Sequence, residues 1–194
     1  MSGYVLGGFV MYSIINAFTP GPGNILALNT ITNYGWKRGK PLFFGIFAGY
    51  YAVQTICGIF VYGVGTFLPS LLGVMKYIGA VYILWLAIHI ALSCPDEGSD
   101  EKSASFAKGF LLQFVNVKIY LFGITALTGY ITDYSRAFPV LFLSEMFIAS
   151  IGTVATATWI GMGALIQRFY LKHYRPINIV LALLLLECVV SMLH

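Results

Sequence analysis

The chain has 194 residues, of which 59% are hydrophobic and only 9% charged, with a mean hydropathy of +0.84. A soluble domain carries about 25% charged residues, so this composition excludes one and requires an integral membrane protein. The net charge of +4 comes from short basic clusters between apolar runs, where membrane topology accounts for it and no nucleic-acid partner is implied.

The apolar runs lack strict alternation, which predicts helices and not a barrel. Boundaries at charges, prolines and loop residues give six segments: 4–34, 42–67, 70–93, 106–132, 138–166 and 176–193. Each is long enough to cross a bilayer. The amino terminus, MSGYVLGGFVMY, has no Lys or Arg before its apolar run and no small-residue cleavage site. The first segment is therefore expected to be a retained span.

Segment one contains FTPGPGN, Phe18 to Asn24. A proline removes a backbone donor and pushes the residue before it out of helical angles, so the helix should open at Phe18 or Thr19. Pro20 or Pro22 can start a second half-helix, with Thr19 as its N-cap. Unwound backbone at membrane depth must be buried in protein or line a wet cavity. The free N–H groups of the new half-helix suit a carboxylate. A simple kink is the plainer alternative.

Gly45 and Gly49 in segment two, and Gly3 and Gly7 in segment one, form small-xxx-small pairs expected to pack helices closely. Gln54 in segment two and Gln113 in segment four either line a cavity or bridge helices. Lys76, near the end of segment three, reads as a snorkelling residue, and His89 as interfacial. Residues 94–105, CPDEGSDEKSAS, are the markedly polar stretch. They divide a single membrane domain, 1–194, into halves 1–93 and 106–194 joined by a linker.

Segment four carries FVNVK, Phe114 to Lys118. Lys118 lies about 18 Å of helix from the start of that segment, too deep to snorkel easily. An ionisable group at such depth marks a pathway or has a partner. Lys118 could meet a substrate carboxylate, or form a structural ion pair with Glu145 or Glu187. Both glutamates lie nearer the ends of their spans, where they are expected to reach water. Segment five brings Thr153, Thr156 and Thr158, whose hydroxyls either line a path or bond back to their own helix.

Lys37, Arg38, Lys40, Lys102, Lys108, Arg168, Lys172 and Arg175 flank the first, third and fifth connections, against Arg136 alone at the fourth. The positive-inside rule puts those connections in the cytoplasm and both termini outside. Three spans per half would make the halves inverted repeats, each interrupted near mid-membrane, at Pro20 to Gly23 and at Asn116. Cys57, Cys94 and Cys188 are widely spaced without a C-x-x-C pair, giving no redox or zinc motif and reading as packing residues. Paired carboxylates and His clusters are lacking too, so no enzyme, cofactor or metal site is read from the sequence.

The TPGPGN motif, the following ITNYGWKRGKPLFFGIFAG and the opening KGFLLQFVNVKIYLF of segment four resemble the lysine exporter (LysE) family, which includes exporters for homoserine, threonine and cysteine. The resemblance covers nearly the whole chain. It implies export of amino acids or close derivatives across a bacterial cytoplasmic membrane, driven by an ion gradient. Pro20, Gly21, Pro22, Asn24, Asn116 and Lys118 match the family's two helix-breaking motifs by position. The second motif usually reads Asn-Pro-Lys and here is Asn116-Val117-Lys118. Without the proline, segment four is expected to be less sharply broken, supplying Asn116 and Lys118 from a continuous helix.

The resulting expectation is an all-α, six-helix secondary transporter exporting a small amino acid by alternating access. The substrate site comprises Thr19, Pro20, Gly21, Pro22, Gly23, Asn24, Asn116 and Lys118. The coupling ion is expected to be a proton, with Lys118 as the residual carrier. A homo-oligomer is left open. An inorganic-ion exporter or an accessory membrane subunit is the alternative.

Overall fold

The computed structural model describes residues 3–63, 68–94 and 104–193. Residues 95–103, which include most of the polar linker and Lys102, lie outside the described residues, as does the side chain of Lys76. Among the described residues all regular structure is helical: α1 (Gly3–Phe18), α2 (Pro22–Gly63), α3 (Leu68–Ala91), α4 (Phe106–Val115), α5 (Val117–Tyr130), α6 (Phe138–Lys172) and α7 (Tyr174–Leu193).

The protein is an all-α membrane protein. Among the described residues three helices, α2, α6 and α7, are by themselves long and apolar enough to cross a membrane, and α4 with α5, bent by 57°, is long and apolar enough to count as a fourth if the pair is one span. Its surface is inverted relative to a soluble protein: Val154, Leu165 and Leu183 are exposed, while Asn24, Gln54, Gln113, Asn116, Glu145 and Thr156 are buried. In lipid this is the stable distribution, because apolar side chains lose nothing outside and polar ones find partners inside.

The connections are tighter than the sequence suggests. The loop expected at 35–41 is a single-residue corner at Gly35 (φ 69°, ψ 179°), after which the helix resumes and contains Pro41. Only glycine takes that φ without steric cost. The connection expected at 167–175 shrinks likewise: α6 runs to Lys172 and α7 starts at Tyr174, with His173 between.

Helix α2 packs chiefly on α6 and α4, α3 packs on α7, and α1 on α6 and α5. Glycines set the closest crossing. A Cβ on Gly45 would strike the Phe106 carbonyl, one on Gly109 would strike the Leu42 carbonyl, and one on Gly49 would lie 3.0 Å from the Phe110 carbonyl. Gly45 and Gly49 thus seat α4, as their spacing predicts. Gly3 and Gly7 have nothing within 4 Å of a Cβ, so the expected packing pair there is not one.

Candidate functional site

The first helix opens where its prolines demand. α1 ends at Phe18, Thr19 to Gly21 are non-helical, and α2 starts at Pro22. Gly21, not Thr19, caps the new half-helix, its carbonyl accepting from the Ile25 amide at 2.9 Å. Thr19 closes the preceding helix instead: its amide donates to Ile15 O at 3.1 Å and its hydroxyl to Asn16 O at 2.9 Å. The N-cap role expected of Thr19 fails because its side chain bonds backward.

A helix end leaves carbonyls without partners, and at membrane depth each must be answered. Here side chains from four other helices do so. Asn24 Nδ2 donates to Ala17 O at 2.9 Å and to Thr19 O at 3.3 Å. Trp159 Nε1 of α6 donates to Phe18 O at 3.2 Å. Lys118 Nζ of α5 donates to Thr19 O at 3.1 Å, Thr19 Oγ1 at 2.8 Å and Pro20 O at 3.1 Å. The Cys188 thiol of α7 lies 4.0 Å from Pro20 O. All three ammonium hydrogens therefore go to Thr19 and Pro20, and the ion pair with Glu145 or Glu187 weighed from sequence is not formed. An ammonium also suits this place electrostatically, since the carboxyl end of a helix carries about half a negative charge.

The fourth segment breaks more sharply than the missing proline suggests. α4 and α5 meet at Asn116 (φ −86°, ψ 86°) with a bend of 57°, correcting the expectation of a continuous helix. Asn116 still donates its amide to Gln113 O at 3.3 Å, and its carbonyl accepts from Ile119 N at 3.1 Å, so the corner sacrifices little backbone bonding. Tertiary contact supplies the rest. The two breaks face each other: a Cβ on Gly21 would lie 3.2 Å from Lys118 Nζ, and one on Gly23 3.1 Å from Gln113 Nε2.

The structure thus brings all eight expected residues together, but in different capacities. Thr19 and Pro20 are exposed; Gly21, Pro22, Gly23, Asn24 and Asn116 are buried. Asn24 is a staple, its Oδ1 also accepting from Thr156 of α6 at 2.7 Å. Asn116 keeps a buried Oδ1 without a partner beside a cavity of about 550 Å³ that Thr19, Pro20, Pro22 and Lys118 also line. The starts of α2 and α5 both border that cavity, placing two helix amino termini and one ammonium where an anionic group would sit.

Its remaining walls were missed in the sequence. They include Tyr12 and Asn16 of α1, Thr125 of α5, and Glu187, Cys188 and Ser191 of α7. Polar residues one turn apart in apolar helices, Tyr12 with Asn16 and Glu187 with Ser191, were the available signal. Cys188, read as packing, borders the cavity. Thr158 bonds back to Val154 O at 2.9 Å and Thr156 bonds Asn24, whereas the buried Thr153 hydroxyl has no partner. A second cavity, of about 320 Å³, lies past Leu26 and is bordered by Asn29, Ser93 and Lys108. His89 borders it too, stacked on Trp85 with ring centroids 5.3 Å apart.

A family model for LysE type translocators matches residues 14–194. The chain belongs to this family. The cysteine/O-acetylserine efflux protein of Escherichia coli strain K12 is 36% identical over 195 residues, covering all of both chains. The protein of the same name from Shigella flexneri matches equally. No solved structure matches.

Proposed function

We propose that this LysE translocator is a secondary transporter, not an enzyme, that exports a small amino acid of the cysteine or O-acetylserine type by proton-coupled alternating access. The observation that carries the reading is the meeting of two helix breaks around Lys118, beside a cavity large enough for such a substrate.

The substrate carboxylate competes with Thr19 and Pro20 for the Lys118 ammonium and gains the amides at the starts of α2 and α5. Asn116 Oδ1 and the Glu187 carboxylate offer acceptors to the substrate ammonium. Thr125, Cys188 and Ser191 face a small polar or thiol side chain. Drawing Lys118 away from α1 removes bonds that hold the end of α1, so binding and gating share one group. Gly21 and Gly23 let the broken backbone approach Lys118 and Gln113, and Asn24 keeps the two half-helices together.

Alternating access is supported by the placement of the two cavities. Pro22 borders the first and Leu26 the second, so about one turn of α2 separates them. In this reading residues 1–93 and 106–194 are oppositely oriented three-span halves of one domain in a bacterial cytoplasmic membrane, with both termini outside.

The test is efflux from liposomes containing the purified protein and loaded with a panel of amino acids, with and without a proton gradient. Gradient-dependent loss of cysteine or O-acetylserine, reduced at least about tenfold by Lys118→Ala, is the expected result, since one charge-assisted contact is worth about 1.5–3 kcal/mol. Absence of efflux for every amino acid refutes the function and favours an inorganic-ion exporter or an accessory subunit. Unchanged efflux by Lys118→Ala refutes the site.

A further inference from the structure

Helix α6 holds a carboxylate that the cavity does not use. Glu145, expected to reach water, is 0% exposed, and neither of its oxygens has a hydrogen-bond partner. Two glycines make its space. A Cβ on Gly58 of α2 would lie 3.3 Å from Glu145 Cγ, and one on Gly123 of α5 would lie 3.2 Å from Glu145 Oε2.

That second position would also strike Gln54 Oε1 of α2. Gln54 is itself 0% exposed; its Nε2 donates to Ile119 O at 3.4 Å, and its Oε1 has no partner. The pocket between α2, α5 and α6 therefore holds three acceptor oxygens that no donor meets. An ionised carboxylate there would be a buried charge without a counter-ion, costing several kcal/mol. One proton on the carboxyl converts an acceptor into a donor, beside the unpartnered Gln54 Oε1 that lies against the same glycine.

The ionisable side chains that α2, α5 and α1 bring nearest this pocket pair no cation with Glu145. On α2 those nearest Gln54 and Gly58 along the helix are Cys57, whose thiol lies 3.9 Å from Tyr120 O, Tyr50, which lies against Gly152, and Tyr51, which bonds Ser150; Lys37, Arg38 and Lys40 of the same element come at least 14 residues before Gln54, about 21 Å of helix away. On α5 they are Tyr120 and Tyr130, and on α1 Tyr12, which packs on Tyr130. Lys118 of α5 has its hydrogens committed to Thr19 and Pro20.

We propose that Glu145 is the proton-carrying group of this transporter, with Gln54 Oε1 accepting the hydrogen bond of its protonated carboxyl. The inference rests on the transport reading above and replaces Lys118 as the proton carrier. In the cycle the carboxyl binds one proton from one side of the membrane and releases it to the other, with no other bond changed. Its two neighbours reach the breaks directly. α5 carries Gly123 and Lys118, and α6 carries Glu145, Thr156 and Trp159, so a shift of either helix on proton release acts on the groups that hold α1 and α2 together.

Two measurements test it. Infrared spectroscopy of the purified wild type should contain a protonated-carboxyl band that fades as pH rises and is missing in Glu145→Gln. In liposomes, with cysteine as the probe, Glu145→Gln should keep amino-acid exchange in the absence of a gradient and lose gradient-driven accumulation, while Glu145→Asp retains it. A band unaffected by the substitution, a band that does not titrate, or gradient-driven accumulation preserved in Glu145→Gln overturns the proposal. Failure of wild-type exchange would instead overturn the transport reading, and the infrared band separates the two.

Discussion

Replacing Asn24 with alanine tests whether the first break is held by the staple to α6. Asn24 is 3% exposed and makes two short bonds, to Ala17 O at 2.9 Å and from Thr156 at 2.7 Å. Its loss strands the Ala17 carbonyl and the Thr156 proton; Thr19 O keeps Lys118. At about 1 kcal/mol for each stranded group, the low end of the usual range, Asn24→Ala costs about 2 kcal/mol. Thr156→Val strands Asn24 Oδ1, for about 1 kcal/mol. The double variant strands only the Ala17 carbonyl, so it costs about 1 kcal/mol rather than 3, a coupling of about 2 kcal/mol. Denaturant titration of the four proteins in mixed micelles measures this cycle. Additive losses would refute the staple.

Other expectations follow from contacts of similar clarity. Gly109→Ala drives a methyl into the Leu42 carbonyl and should cost more than about 2 kcal/mol in the same titration, as overpacking against backbone does. Gly7→Ala, inside α1 with open space around it, should instead stabilise by about 0.5–1 kcal/mol. Gly35→Ala must hold φ at 69° and should lose about 1–2 kcal/mol, read as a lowered unfolding midpoint. Tyr170→Phe removes the hydroxyl that donates to Asn178 at 2.7 Å and accepts from Asn33 at 2.9 Å; a loss of about 1–3 kcal/mol is expected because both amides are buried.

Features encoded locally were legible in the sequence. Four breakers within Pro20 to Gly23 announced the first break, and Gly45 with Gly49 announced a close helix contact. The membrane class followed from composition. What could not be read depends on residues far apart in the chain. Thr19 looked like an N-cap because its sequence position suits one; its bond to Asn16 and the arrival of Lys118, 99 residues later, decide otherwise. Glu145 looked peripheral because its place along a segment says nothing about which face it presents. Gly58 and Gly123, on two other helices, make the space that buries it.

The second break shows how far tertiary contact can stand in for a local signal, and it yields a sharp test. Val117 is the first residue of α5, where an amide has no partner within its own helix and proline's fixed φ is already suitable. The residue before it, Asn116, has left the helical region at φ −86° and ψ 86°, toward the extended angles that a residue preceding proline prefers. Val117→Pro should therefore be tolerated. Restricting the unfolded chain stabilises by about 0.4–1 kcal/mol, against a smaller loss of packing at a side chain that is 4% exposed. Leu121→Pro, four residues further into the same helix and exposed to 49%, should instead cost about 3 kcal/mol or more. If the bend at Asn116 is part of the folded protein, the two prolines will differ by at least about 2 kcal/mol in denaturant titration, and Val117→Pro will retain wild-type efflux. Equal destabilisation by both would mean that α4 and α5 run as one continuous helix and that Asn116 is no break at all.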